Sequence, residues 1–310
     1  MPDQFTRDKA EPSTRSGVLL IDKPAGLTSH DVVARTRRIA GTRKVGHAGT
    51  LDPMATGLLV LGLNSSTRLL TFVVGLEKEY VATIRLGQST DTDDAEGVIT
   101  ETASTSALDE TAVRAALADF VGDIDQVPST VSAIKVDGKR AYALARAGET
   151  VELKPRRVTI SAIEVTGIRI AADTIDIDCV VTCSSGTYIR AIARDLGAAL
   201  RVGGHLTALR RTRIGPFSVA DAAVPEPGLV VAERLLEPAA VASALFPVRT
   251  LDPGELVDLV HGKRIAAGAL EGHEGPIAAV GPTGVLAGIL ETRGAQLRPI
   301  VNFPSDEVQA

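Results

Sequence analysis

Apolar residues recur along the chain in two rhythms, one of period two and one of helical spacing. Val18 to Ile21 is a short apolar run ending at Lys23-Pro24, which predicts a strand entering a turn. Thr28-Ser29-His30-Asp31 has the form of an N-cap, and Val32, Val33, Thr36 and Ile39 follow at helical spacing as far as Gly41. Arg43 to Thr56 is dense in Gly and Pro and predicts a loop, and Gly57 to Leu63 predicts a buried strand. Glu79 to Leu86 alternates as a strand, and Ala107 to Val121 has helical spacing. Lys135 to Thr150 opens on an Asp-Gly turn and continues as a short basic helix. Val158 to Ile168 and Thr174 to Thr182 predict paired strands, and His205 to Ile214 a further one. Between them Thr187 to Leu200 reads as a helix, with Ile189, Ile192, Ala193, Leu196 and Leu200 apolar. After a connector at Val224 to Pro227 come short helices at Val231 to Leu236 and Pro253 to His261. Strands at Ile277 to Val280, Val285 to Glu291 and Gln296 to Val301 then close the pattern. The reading divides the chain into a polar, disordered tail at 1–15, a main domain at 16–240 and a small, mostly β module at 241–305.

Composition agrees with a folded protein: 45% of the 310 residues are hydrophobic and 23% charged. The longest uncharged stretch, Gly275 to Leu290, is too short and too proline-broken to span a bilayer. The N-terminus lacks the apolar core of a signal peptide, so the expected compartment is the cytoplasm. Cys179 and Cys183 fall on one face of a strand about 13 Å apart, too far for a disulfide, and further zinc ligands are not nearby.

Charge first argues against a nucleic-acid partner, because 33 Lys and Arg against 38 Asp and Glu leave a net charge of −5. The absence of Trp, with three Tyr and six Phe, argues against a many-ringed stacking platform. Local distribution alters this picture. Gln88 to Ala112 holds Asp91, Asp93, Asp94, Glu96, Glu101, Asp109 and Glu110 without a base. Arg35, Arg37, Arg38, Arg43 and Lys44 form an acid-free cluster, as do Arg201, Arg210, Arg211 and Arg213, with Lys154, Arg156 and Arg157 as a third group. The acidic run Asp91 to Gly97 suggests a calcium loop but fails its spacing, since Gly comes one place late and Thr102 stands where the bidentate acid belongs.

The segment richest in chemistry is Gly46 to Gly57. Glycines at 46, 49 and 57 let the backbone approach a ligand, and Pro53 holds Asp52 extended, so a loop presents a carboxylate; an Asp-Pro turn is the purely structural alternative. This HAGTLDPMATG segment has three ordered companions. They are Leu20 to Gly26, Glu79-Tyr80 before Arg85-Leu86-Gly87, and Cys183-Ser184-Ser185-Gly186-Thr187-Tyr188-Ile189-Arg190. Together they resemble the TruB-type tRNA pseudouridine-55 synthases over about residues 17–218, and the C-terminal module resembles the small PUA-like RNA-binding domain.

The resemblance implies an α+β fold with a mixed, largely antiparallel sheet flanked by helices. It also implies an isomerase that flips a uridine out of the tRNA T-loop, breaks its N-glycosidic bond and forms a C–C bond. Asp52 would be the catalytic aspartate, Arg190 its partner, and Tyr80 the ring that stacks on the base and assists proton transfer. A carboxylate can attack the sugar or remove a sugar proton, and both routes stay open. His47 would enter the T-loop, Leu209 lie beneath the base, and Lys23, Arg68 and Tyr188 contact substrate. Lys135 to Arg157 would form an RNA-gripping arm. The expected partner is tRNA, bound by a monomer with no membrane and no cofactor. Two other classes remain: a non-catalytic tRNA-binding or tRNA-folding protein, and a retaining glycosidase. The glycosidase needs a second carboxylate about 5 Å from Asp52, which no sequence feature places.

Overall fold

The structure, a computed structural model, describes residues 15–129, 135–136, 139–140, 153–226 and 228–304. The expected tail, but for Arg15, and the basic helix of the arm lie outside these residues.

In chain order the strands begin with β1 (Gly17–Lys23), β2 (Val45–His47), β3 (Thr56–Leu63), β4 (Lys78–Leu86), β5 (Gln88–Thr90) and β6 (Ile99–Thr102). They continue with β7 (Gly122–Gln126), β8 (Lys135–Val136), β9 (Lys139–Arg140), β10 (Arg156–Ile170), β11 (Ile175–Cys183), β12 (Gly204–Ile214) and β13 (Phe217–Ser218). The C-terminal strands are β14 (Val248–Thr250), β15 (Ile265–Ala266), β16 (Ile277–Val280), β17 (Leu286–Arg293) and β18 (Gln296–Asn302). The helices are α1 (Ser29–Ile39), α2 (Leu70–Val74), α3 (Glu110–Ala118), α4 (Ile189–Ala199), α5 (Val231–Arg234), α6 (Pro238–Leu245) and α7 (Pro253–Val260).

The main sheet runs β1-β3-β12-β4-β11-β10-β7, with β2 added to β3 and β13 to β12. Every pair in it is antiparallel except β3 with β12, which makes it the mixed, largely antiparallel sheet that was expected. β11 alternates strictly between buried and half-buried residues, the signature of a strand with one face on the core. β3 is buried almost throughout because β1 and β12 flank it and helices cover it, so it reads as a continuous apolar run. α1 starts where the sequence places it: Thr28 accepts from the Asp31 backbone while the Asp31 carboxylate accepts from the Thr28 backbone.

The second sheet, β14-β16-β17-β18-β15, makes the C-terminal module. It is not separately cored: Val18, Val60 and Leu70 of the main sheet side share one apolar cluster with Val241, Ala278 and Ile289. α6, unforeseen in the sequence, carries Val241 and Ala242 into that cluster, and the expected boundary at 240/241 falls inside it. β2 also differs from expectation, forming inside the expected loop. It is three residues long, too short for alternation to register, and exists because Val45 pairs with Leu63.

α4 lies directly on the start of β12. A Cβ at Gly197 would come within 2.2 Å of the Gly203 and Gly204 backbone, so only glycine permits this approach. Because α4 carries Arg190, the contact sets where that side chain arrives. Gly197→Ala is expected to destabilise the protein by about 1–3 kcal/mol through overpacking, read as a lowered midpoint of urea unfolding with an unchanged slope.

Candidate active site

The loop between β2 and β3 is anchored at both ends before Asp52 is reached. Ser29, buried at the start of α1, donates to the Leu51 carbonyl at 3.1 Å and accepts from the Leu51 amide at 2.8 Å. On the other side, the Pro53 carbonyl accepts from the Gly26 amide at 2.8 Å and from the Lys23 ammonium at 3.3 Å. Gly49, at φ +92°, supplies the turn that precedes the carboxylate.

Arg190 approaches from the first turn of α4. Its Nη2 lies 3.0 Å from Asp52 Oδ2 and its Nη1 3.3 Å from Asp94 Oδ2, with a further bond of 2.8 Å from Nη1 to the Thr92 carbonyl. The Arg190 and Asp94 side chains are each 4% exposed, whereas that of Asp52 is 36% exposed. One buried cation therefore serves two carboxylates, of which only Asp52 is open to the cavity. Burial pushes the Asp52 carboxyl above its ordinary range, and Asp94 adds to the rise; Arg190, and less strongly Lys23, pull it back.

Asp94 was missed in the sequence, where its run was weighed as an acidic stretch and as a calcium loop. Its carboxylate accepts from the Glu96 amide at 3.0 Å and the Thr92 hydroxyl at 2.6 Å, and Asp91 accepts from the Val98 amide at 2.8 Å. The acids thus fold a tight turn between β5 and β6 and deliver one carboxylate to Arg190. Asp94 is thus a second carboxylate on Arg190, but it is buried and does not line the cavity as a glycosidase's second group would.

The cavity in front of Asp52 measures about 260 Å³ and is lined by Tyr80, Tyr188, Leu209, Lys78, Arg190 and Arg211, together with the Ser184–Thr187 loop. That is below the roughly 300–1,000 Å³ of drug-sized sites and suits a single nucleoside. Tyr80 is buried, and burial raises its phenol against the opposing charge of Arg211. The Tyr188 backbone is held on both sides by the Gln126 side chain, at 2.8 and 3.1 Å.

Lys23 and Arg68, expected to contact substrate, do not line the cavity. Lys23 is fully buried. Its ammonium donates to the carbonyls of Leu27 at 2.6 Å and Pro24 at 3.0 Å as well as Pro53, and burial brings it down to about 8. It braces the loop that carries Asp52 and does not line the cavity. Arg68 lies apart from the cavity and donates to the Asn302 carbonyl of the C-terminal module. Neither placement was legible, because both depend on carbonyls distant in sequence.

His47, on β2, meets His30 edge to face at 5.6 Å between ring centres. Burial and the neighbouring His30 lower its pKa, so the ring is neutral at pH 7. Beside it the first basic cluster is solvent-facing, with Arg37, Arg38, Arg43 and Lys44 exposed. The second, apart from exposed Arg201, is paired or buried. Arg210 pairs with Asp22 at 2.7 Å, Arg213 with Glu77 at 3.3 Å and Glu79 at 3.6 Å, and Arg211 is buried.

The chain matches known proteins over nearly its whole length. Residues 37–189 match the model of the TruB family pseudouridylate synthase N-terminal domain. Residues 190–237 match the tRNA pseudouridylate synthase B C-terminal domain, and 246–304 the tRNA pseudouridine synthase II C-terminal model. A tRNA pseudouridine synthase B of Leifsonia xyli subsp. xyli is 58% identical, over 94% of this chain and 98% of its own. That of Thermobifida fusca is 55% identical, over 93% and 98% respectively. Among solved structures, a chain of a Cbf5-Nop10-Gar1 complex superposes with a TM-score of 0.69 at 25% identity, covering 94% of this chain and 86% of that one. A chain of an archaeal box H/ACA sRNP Nop10-Cbf5 complex gives 0.68 at 23% identity, covering 97% and 95%, a likeness of fold alone.

Proposed function

The chain belongs to the TruB family of pseudouridylate synthases, and from that premise we propose that the Asp52 cavity receives a single uridine flipped out of the T-loop of tRNA, at position 55. The enzyme isomerises uridine in tRNA to pseudouridine: the bond from N1 to the sugar breaks, the base turns, and C5 takes the sugar carbon. C5 loses a proton and N1 gains one, so atoms balance without oxidant or energy source. The observation that carries the reading is Asp52, the carboxylate that lines the nucleoside-sized cavity among the described residues, fixed there by a buried guanidinium.

Asp52 acts on the sugar, and Arg190 holds the carboxylate ionised and aimed while the base shields it from water. Tyr80 stacks on the base and assists proton transfer, Leu209 supports it from below, and Tyr188 closes the side. His47, neutral and next to the exposed basic strip, holds the opened T-loop. The segment 135–157 grips the T-arm, and the module of 241–305 extends the RNA-binding surface. The enzyme acts as a monomer in this reading. No helix among the described residues is long and apolar enough to cross a membrane, and a tRNA substrate fits a cytoplasmic enzyme.

Incubation with an unmodified tRNA transcript and mapping of pseudouridine by position tests this reading. One product at the T-loop uridine is expected; product confined to another position, or none, contradicts it. Binding of the same transcript is expected to weaken roughly 10²-fold between about 50 and 200 mM salt, as four or so exposed bases displace counterions. A flat salt response would remove the basic strip from the interface.

A further inference from the structure

Arg211 is the largest fully buried side chain described in the molecule, 1% exposed, and no carboxylate pairs with it among the described residues. Its Nε donates to the Leu58 carbonyl at 2.8 Å, Nη2 to Gly49 at 3.1 Å and Nη1 to Thr50 at 3.4 Å. Gly49 and Thr50 lead directly into Asp52. Tyr80 is the register partner of Arg211 across β12 and β4, and the two side chains line the same cavity. On the opposite edge β12 meets Gly57 of β3, at φ +100°, where a Cβ would lie 2.2 Å from the Arg211 carbonyl. The site is built around this residue from both neighbouring strands.

We propose that Arg211 is a positioning residue for the isomerisation, a fork that braces the Asp52 loop, donates to the phenol oxygen of Tyr80 across the strand pair and so fixes the direction of the Tyr80 hydroxyl. A guanidinium has donors and no acceptor. In their hydrogen bond the Tyr80 oxygen must therefore be the acceptor, and its own proton points away from Arg211, towards the cavity that both residues line. A free hydroxyl would rotate among partners; this one is set as a donor to whatever the cavity holds. The same charge favours the phenolate form of Tyr80 over what burial alone would allow, easing proton movement at that oxygen. Lysine cannot reproduce the arrangement, because an ammonium lacks the planar fork that reaches three carbonyls and a phenol together.

This inference rests on the proposed tRNA reaction and is tested by a double-mutant cycle. Single-turnover pseudouridine formation and tRNA affinity are measured for wild type, Arg211→Lys, Tyr80→Phe and the double variant. Arg211→Lys is expected to slow turnover about 10–100-fold with tRNA affinity within about two-fold of wild type. The double variant is expected to be no slower than Tyr80→Phe alone. Fully multiplicative effects, or an Arg211→Lys protein as fast as wild type, would overturn the proposal. Should Arg211→Lys fail to fold, guanidinium NMR on Tyr80→Phe decides the matter. The Arg211 side-chain resonances are expected to shift and lose protection from exchange, and unchanged resonances would overturn the coupling. Absence of T-loop product from wild type would instead overturn the substrate reading, and the NMR comparison would still settle whether Arg211 holds Tyr80.

Discussion

Arg190→Met is expected to destabilise the protein by about 3–5 kcal/mol at neutral pH and to abolish turnover. The guanidinium is buried between Asp52 and Asp94, and methionine leaves both carboxylates without the cation they share. The deficit is also expected to depend on pH. Burial already pushes Asp52 upward, and loss of its principal opposing charge pushes it further. An acid with a raised folded pKa destabilises the fold above that pKa, and the penalty disappears as pH falls through it. Denaturant midpoints for Arg190→Met and wild type should therefore converge towards acid pH. Arg190→Lys keeps the charge but loses the fork that reaches both carboxylates; it is expected to fold and to turn over at least about 10²-fold more slowly. An Arg190→Met protein as stable as wild type at pH 7 would show that the buried pairs carry no net weight.

The strands that alternate were legible in the sequence, because one face of the main sheet meets the core; β4 and β11 were expected nearly to the residue. The elements that escaped owe their existence to distant partners. β2 is held by Leu63, and α6 by the apolar cluster that fuses the two sheets. Neither has a local pattern long enough to announce it.

The site divides in the same way. Asp52, Tyr80, Arg190 and Tyr188 sit in ordered motifs, and the fold brings them, with Leu209, around one cavity. Asp94 was hidden because its run was judged for metal spacing, when its carboxylates serve a turn and a buried guanidinium. Lys23 carried a signal for charge and none for burial. The basic run ending at Arg213 resembled a phosphate-binding face because its acids, Asp22, Glu77 and Glu79, lie more than 130 residues away and arrive only through sheet pairing. A cluster of like charges on a strand reveals nothing about what the neighbouring strands present.

Asp52→Asn separates chemistry from binding and from folding. Ionised Asp52 is held where burial favours its neutral form, so the amide relieves a strain on the fold while Arg190 retains Asp94. Stability is expected to be unchanged or up to about 1 kcal/mol higher. Turnover is expected to fall about 10⁴-fold or more, since an amide neither attacks a sugar carbon nor takes its proton. In wild type the ionised carboxylate is the working form, so activity should fall as pH drops through a value above the ordinary 3.9 or so of aspartate. A limb at or below that ordinary value would mean that burial does not perturb Asp52.

The most direct test is single-turnover pseudouridine formation at the T-loop uridine under saturating Asp52→Asn protein, with transcript affinity measured in parallel. Unaltered binding with no product on the wild-type timescale is the expected result. Conversion within about ten-fold of the wild-type rate, a difference of only about 1.4 kcal/mol in barrier, would show that Asp52 is not the catalytic group.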